Sequence, residues 1–478
     1  MDKIFSKLFL LFVILALSGQ TDAQNKDKPN VLFIVVDDLR PELACYGHSQ
    51  IKSPNIDKLA EGGLIFDRAY CNIPVCGASR ASVLSGIRPN RHRFVNYRLF
   101  LDKEVPGVVS LPMHFKNNGY YTASLGKVFH EIADGKGSWS EKPWFPKGSW
   151  TGGQYYAMPE SVQKAKLNNG NGPVYEAPDG PDTIYPDGVI AEEAIHHLQE
   201  FSKTDQPFFL AVGFLKPHLP FNAPKKYWDL YDYNTIKLPA YMKKPKDAPD
   251  ECMHNFGELR NHYSDIPKVG PLDDASSRKL IQGYYACVSY TDAQVGKVLD
   301  ELERLGMADN TIVILWGDHG WHLGEHGLWC KHCNFEKVLH APVIVRAPGK
   351  KQNVKTDALV EYVDIYPSLC DLAGLPKPFF LQGKSFEPLM ENPGLSWKAE
   401  VYCRWVKGET IVTRDHTFTE WFDDDSGEIV ARMLYDLNTD REETINISEK
   451  SENKELVELL SEKLKKHIAT RDQVIIPN

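Results

Sequence analysis

The sequence predicts an α/β fold: a large, mostly parallel sheet sandwiched by helices, followed by a smaller antiparallel-sheet subdomain. Three observations carry this. Short apolar runs bounded by turn residues alternate with helical patterns. Four of those runs lead directly into polar, ionisable residues. Towards the end of the chain, several strand-like segments follow one another with no helical pattern between them.

The apolar runs are residues 31–36, 121–125, 208–212, 312–316 and 343–345, and they read as buried strands. Helical patterns cover 187–201 and 277–305. Binding sites in open α/β sheets form beyond the carboxyl ends of the strands. The first run leads to Asp37 and Asp38, the second to Lys127 and His130, the third to Lys216 and His218, and the fourth to Asp318 and His319. Four separate segments therefore bring chemistry to one edge of the sheet. Residues 139–186 are rich in Gly, Pro and aromatics and read as a long surface excursion of the kind that carries specificity. Gly374-Leu375-Pro376-Lys377-Pro378 marks a boundary between a catalytic domain, 24–375, and an α+β subdomain, 376–478. In the latter, 400–405, 409–413, 417–422 and 429–435 read as an antiparallel sheet, and 452–468 as a charged amphipathic helix.

The N-terminus reads as a signal peptide, residues 1–23: Lys3 and Lys7, an apolar stretch at 8–17, then Thr21-Asp22-Ala23. The apolar stretch is short for a membrane span, and no other candidate span follows. The expected protein is exported, periplasmic in a bacterium, with no stable membrane partner. The net charge of −9 over 478 residues argues against nucleic acid and against a polybasic membrane-binding surface. It leaves room for a small anion held in a local basic pocket. Export permits disulfides, but nine cysteines leave at least one unpaired, and their pairing cannot be deduced.

Asp37, Asp38 and Asp318 are expected to converge. Two like charges ~4 Å apart repel by about 4 kcal/mol at an effective dielectric of ~20, so three carboxylates call for a cation. Oxygen ligands favour Ca²⁺, or secondarily Mg²⁺, over zinc. The competing reading of Asp37-Asp38 is a solvated turn. Cys76 lies in Val75-Cys76-Gly77-Ala78-Ser79-Arg80. A thiolate beside a hard cation is a chemical mismatch, and a harder nucleophile suits the place better.

Cys76-Gly77-Ala78-Ser79-Arg80 resembles the Cys-x-Pro/Ala-x-Arg signature of the type I sulfatases, in the alkaline-phosphatase superfamily. The resemblance extends over nearly the whole mature chain. It includes Ser53-Pro54-Asn55-Ile56-Asp57, Gly86-Ile87-Arg88-Pro89, Gly126-Lys127-Val128-Phe129-His130, Lys216-Pro217-His218, the stretch 317–327 and Leu434-Tyr435-Asp436-Leu437. Gly126–His130 and 318–326 look most like the iduronate-2-sulfatase branch. The resemblance implies an alkaline-phosphatase-like sheet and conversion of Cys76 to formylglycine by a maturase. Ala78 stands where animal members carry Pro, and suits an oxygen-independent bacterial maturase.

The resemblance also implies the site roles. Asp37, Asp38, Cys76 (as formylglycine), Asp318 and His319 hold one Ca²⁺. Arg80 and Lys127 orient the nucleophile, Lys331 offsets sulfate charge, His218 protonates the departing sugar oxygen, and His130 takes the proton that restores the aldehyde. Cys330-Lys331-His332-Cys333 alone has the look of a redox or zinc motif, but Lys331 falls where the family binds substrate. His48, His92, His114 and His322 read as surface or internally satisfied residues. The implied substrate is the 2-O-sulfate of a non-reducing-end uronic acid in heparin, heparan, chondroitin or dermatan oligosaccharides, including the unsaturated uronate left by a lyase. Arg98 and Lys103 are candidates for holding the sugar carboxylate. The alternatives are a sulfatase for another glycan position, a phosphonate or phosphodiester hydrolase, and a non-catalytic sulfated-glycan-binding protein.

Overall fold

The computed structural model describes residues 28–147 and 156–471. The signal-peptide reading falls on residues outside these. Among the described residues no helix is long and apolar enough to cross a membrane.

The central sheet has seven strands: β1 (Asn30–Val36), β2 (Leu64–Phe66), β3 (Tyr121–Gly126), β4 (Phe208–Phe214), β5 (Thr311–Gly317), β6 (Val343–Arg346) and β7 (Val354–Thr356). Their order is β7-β2-β6-β5-β1-β4-β3. β1 lies in the middle, parallel to both neighbours, with Val31 opposite Phe209 on β4 and Ile312 on β5. β3 extends the parallel set, and β6 alone runs against its neighbours β5 and β2. All five strands read from the sequence are present in a mostly parallel sheet.

Both faces of the sheet are covered, which explains the continuous apolar runs. The helices include α1 (Cys76–Ser85), α2 (Pro186–Phe201), α3 (Gly257–His262), α4 (Asp274–Arg304) and α5 (Lys454–Arg471). Leu32, Ile34 and Val36 point into a core shared with Ile190 and Leu198 of α2 and Leu280 and Val288 of α4. Val31, Phe33 and Val35 point the other way, into a core containing Ala78 and Leu84 of α1. Asp273 caps α4, its carboxylate accepting the Ser276 N–H at 2.7 Å. The stretch read as a surface excursion holds a short helix, Pro159–Leu167, and a two-residue strand, Tyr175–Glu176.

Four strands form the C-terminal antiparallel sheet: β8 (Glu400–Trp405), β9 (Gly408–Thr413), β10 (His416–Phe422) and β11 (Ile429–Asp436). One face packs Ile411, Phe418 and Leu434 against Val457, Leu460 and Leu464 of α5. The other face adds Val401, Val412 and Trp421 to the core beneath the large sheet. Phe386, Leu389 and Met390 pack in that same core, on the C-terminal side of the Gly374–Pro378 turn.

Glu443 lies at this junction, buried. It accepts the Thr417 hydroxyl at 2.6 Å and the Glu336 N–H at 2.8 Å. Burial, helped by the nearby Glu336 charge, pushes its carboxyl up to about 8 against the pull of Thr417. A carboxyl raised on folding binds a proton in the folded state that the unfolded state has lost. Stability therefore falls as pH rises from the unfolded carboxyl range to about 8, then levels off. Glu443→Gln should remove that component. Thermal melts of both proteins between pH 5 and 8.5 should give melting-temperature curves that diverge with pH, the variant gaining on the wild type. Parallel curves would contradict the assignment.

Candidate active site and metal centre

The sheet's central strands end together, and the residues just beyond those ends build the site. β1 runs straight into Asp37 and Asp38. Asp38 adopts a left-handed backbone, φ 61°, which is uncommon for a residue with a side chain. That turn breaks the strand's alternation, so two consecutive carboxylates reach one volume. The Tyr284 hydroxyl of α4 donates to the Asp38 carbonyl at 2.8 Å, and the Asp38 N–H donates to Asp318 Oδ1 at 3.0 Å. β5 supplies Asp318 and His319. Gly126 and Gly213 let the ends of β3 and β4 come together, because a Cβ on either would strike the other strand's backbone.

Cys76 opens α1, at the end where backbone N–H groups point outward. Gly77 allows the backbone at Tyr97 to cross directly over this helix start. One turn on, the fully buried Arg80 ties three strand ends together. Its Nε donates to Asp318 Oδ2 at 3.0 Å, Nη2 to Asp37 Oδ1 at 3.2 Å, and Nη1 to the Val128 carbonyl at 3.1 Å. Lys127 Nζ pairs with Asp37 Oδ2. Lys331 Nζ pairs with Asp38 Oδ1 at 2.9 Å and with Glu258 Oε1 at 2.8 Å. Cys330 and His332, at φ 70° and 77°, flank Lys331, so a strained turn projects it inward. The His332 ring packs on Trp405 of β8, centroids 5.1 Å apart, which couples this turn to the C-terminal sheet.

Oxygen atoms of Asp37, Asp38 and Asp318 all lie within 4.8 Å of one another. Sγ of Cys76 forms similar groups with Asp318 and His319 and with Asp38 and His218. Asp38 Oδ2 and His319 Nε2 are buried without a hydrogen-bond partner. His319 Nδ1 lies 2.9 Å from the Gly320 carbonyl; in the neutral ring, donation there leaves Nε2 an acceptor. Burial, reinforced by the Asp37 charge, pushes Asp38 up to about 7 despite Lys331. Asp37 is instead held well below the carboxylate range: Lys127 and Arg80 outweigh its burial. This oxygen-rich set with one imidazole and two orphaned acceptors fits a hard divalent cation. For the Cys76 thiol, burial acts upward but Lys127 and Lys331 outweigh it, and the net shift is downward.

The two histidines are tuned in opposite senses. His130 is pushed down to about 3 by burial and by the Lys127 charge, so it is neutral at physiological pH. Its Nδ1 is buried without a hydrogen-bond partner. For His218, burial acts downward but Asp38 outweighs it, and the shift is upward. His218 Nδ1 lies 2.7 Å from the Leu219 carbonyl, and Nε2 lies 3.1 Å from Glu258 Oε1 and 3.9 Å from Asp38 Oδ2.

Cys76, Lys127, His130, His218, Glu258 and Lys331 border one cavity of about 720 Å³, and the carboxylate cluster lies buried beside Cys76. Arg98 lines it, its guanidinium over the Tyr97 ring. Lys103 does not. It is exposed, its ammonium folded over Phe100, because the helical turn at Leu101–Glu104 directs it away. Sequence reasoning missed Glu258, Tyr97, Asn171 and His262, which also line the cavity. They come from segments without strand periodicity: Glu258 and His262 from the short helix α3, Asn171 from the excursion and Tyr97 from the irregular stretch after α1. Cys330 and Cys333 are unpaired, and no disulfide joins the described residues. His48 and His92 are exposed, His114 meets the Pro376 carbonyl, and His322 is buried against His326.

A family model described as sulfatase matches residues 29–375, and one for the C-terminal region of N-sulphoglucosamine sulphohydrolase matches 324–470. Iduronate 2-sulfatase of Homo sapiens is 31% identical, the alignment covering 95% of this chain and 97% of that protein. A sulfatase of Formosa agariphila is 32% identical, with 98% and 93% covered. A solved structure described as a complex with its substrate D-glucosamine-2-N,6-O-disulfate superposes with a TM-score of 0.76 at 23% identity, covering 93% and 98%. The phosphonate monoester hydrolase of Agrobacterium radiobacter gives 0.76 at 21%, covering 93% and 96%. At such identities the solved structures speak for the fold alone. The family model and the full-length relatives speak for more: this chain belongs to the sulfatase family and is a sulfuric ester hydrolase.

Proposed function

We propose that the protein is an exo-acting, periplasmic sulfatase that removes the 2-O-sulfate from a non-reducing-end uronic acid, saturated or unsaturated, of glycosaminoglycan oligosaccharides. The observation that carries this reading is that Cys76 lines one cavity with two oppositely tuned histidines and is backed by a buried three-carboxylate cluster. The 2-O-uronate position rests on the relatives named iduronate 2-sulfatase, from Mus musculus and Homo sapiens. In this reading a maturase converts Cys76 to formylglycine, and Asp37, Asp38, Asp318 and His319 hold Ca²⁺ beside it. Together these groups supply an oxygen nucleophile and a positive centre for sulfate oxygens.

The chain's own residues do the rest. Arg80 and Lys127 fix the Asp37 carboxylate and screen the buried negative charge. Lys331 faces the sulfate and offsets its oxygens. His218, shifted towards its charged form and held through Nδ1, presents an Nε2 proton to the bridging oxygen as the S–O bond breaks. His130, neutral, stands ready to take the proton whose removal releases sulfate. The opposed shifts of these two histidines support that division of labour. Arg98 is placed to meet a uronate carboxylate.

The direct test is sulfate release from purified disaccharides that differ only in sulfate position, using protein from a host able to mature Cys76. Loss confined to the uronate 2-O-sulfate is expected. Loss from a glucosamine position would reject that assignment while keeping a sulfatase. Turnover of phosphate or phosphonate esters in place of sulfates would favour the hydrolase chemistry of the phosphonate monoester relative. His218→Gln should lower kcat on sugar sulfates by roughly 10²–10⁴-fold, the usual contribution of a general acid. On a 4-nitrophenyl sulfate, whose leaving group needs no proton, the loss should be far smaller. Equal losses on both would contradict the acid role.

A further inference from the structure

The proposed chemistry leaves a carboxylate of the cavity wall without a task. Glu258, on α3, lines the cavity beside the groups proposed to act on the ester. Its Oε1 accepts from Lys331 Nζ at 2.8 Å and lies 3.1 Å from His218 Nε2. Its Oε2 is buried and has no hydrogen-bond partner, with His332 Nδ1 3.9 Å away. Burial works to raise its pKa, yet Lys331 and His218 together hold it well below the usual carboxylate range. It is therefore a fixed negative charge inside a pocket meant for an anion.

Oε2 has no accessible surface, so in a side chain 18% exposed it is Oε1 that a ligand can meet, and a carboxylate oxygen has lone pairs to accept a further hydrogen bond. A carboxylate so close to a sulfate also repels any second anion nearby. The position of Oε1 follows from its neighbour. Glu258 touches the same His218 nitrogen that the proposed function directs at the bridging ester oxygen. On a sugar ring, oxygens on adjacent carbons stand about one hydrogen-bond length apart. The substituent next to the reacting ester thus falls within reach of Glu258.

We propose that Glu258 determines specificity at the ring carbon adjacent to the sulfated one: it accepts a hydrogen bond from a free hydroxyl there and rejects a sugar sulfated at that carbon. The substrate class is a sulfated sugar with a free vicinal hydroxyl; a vicinal disulfate is handled only after its neighbouring ester has been removed. This inference rests on the sulfatase reading and on the direction assigned to His218.

The test is kcat/KM on three matched uronate 2-O-sulfates, bearing at C3 a hydroxyl, hydrogen or sulfate, for wild type, Glu258→Gln and Glu258→Asp. Sites built to pair a substrate hydroxyl discriminate strongly against its absence, and like-charge contacts add to the rejection. Wild type should prefer the hydroxyl over the 3-O-sulfate by roughly 100-fold or more, and over the 3-deoxy sugar by roughly 10-fold or more. Glu258→Gln should narrow the sulfate ratio to about 10-fold or less, because it removes the charge and keeps the shape. Glu258→Asp should keep the preference. Glu258 also contacts Lys331 and His218, so every variant is expected to lose overall rate; a merely structural role would scale all three substrates together and leave the ratios unchanged. Unchanged ratios would overturn the proposal, and so would a wild type indifferent to the C3 group, even if the variants fail to fold. Release of sulfate from a different ring position would defeat the 2-O reading alone, and the same comparison at the carbon next to that position then decides for or against Glu258. Turnover confined to aryl sulfates would overturn both.

Discussion

The structure depends on holding three carboxylates together inside the protein. Asp37, Asp38 and Asp318 are fully buried, with oxygens within a few ångströms of one another. Left to themselves such charges repel by several kcal/mol per pair. The fold answers with buried cations brought from different directions: Arg80 from a helix, Lys127 from the end of β3, and Lys331 from a strained turn. Arg80 is central to this, since its fork reaches Asp37, Asp318 and the backbone after Lys127 at once. Remaining acceptors on Asp38 and His319 mark where a divalent ion fits.

The same constraint organises the wider architecture. A parallel sheet with buried faces is what lets several strands end at one edge without exposing their flanks. The C-terminal sheet is not a detached appendage. It shares the core beneath the large sheet and props the Lys331 turn through Trp405 and His332. The polar network around the site is thereby supported from both subdomains, which is how a buried charge cluster keeps a single geometry.

Much of this was legible in the sequence because strands advertise themselves. An apolar run that ends in Asp37-Asp38 or in Asp318-His319 names both the strand and the chemistry at its tip, and a parallel sheet brings the tips together. Cys76 and Arg80 were legible as a local signature, one helical turn apart. The illegible parts came from segments lacking periodicity. Glu258 sits on a six-residue helix between long irregular stretches, so nothing local indicates that it faces Lys331 and His218. Lys103 shows the complementary error. Nearness in sequence to a site residue does not give side-chain direction, and a helical turn sends Lys103 outward while Arg98 stays on the cavity wall. Asp38 could be found by pattern, but its left-handed backbone, which aims it, could not.

A buried carboxylate cluster built around one divalent ion must hold that ion tightly. The decisive measurement is metal content by elemental mass spectrometry, after dialysis against calcium and magnesium together, for wild type and Asp38→Asn. One tightly held ion per chain is expected, calcium in preference to magnesium, lost or greatly weakened in the variant while circular dichroism shows the fold intact. A wild type that retains no divalent ion, or a variant that retains it equally well, would contradict the account.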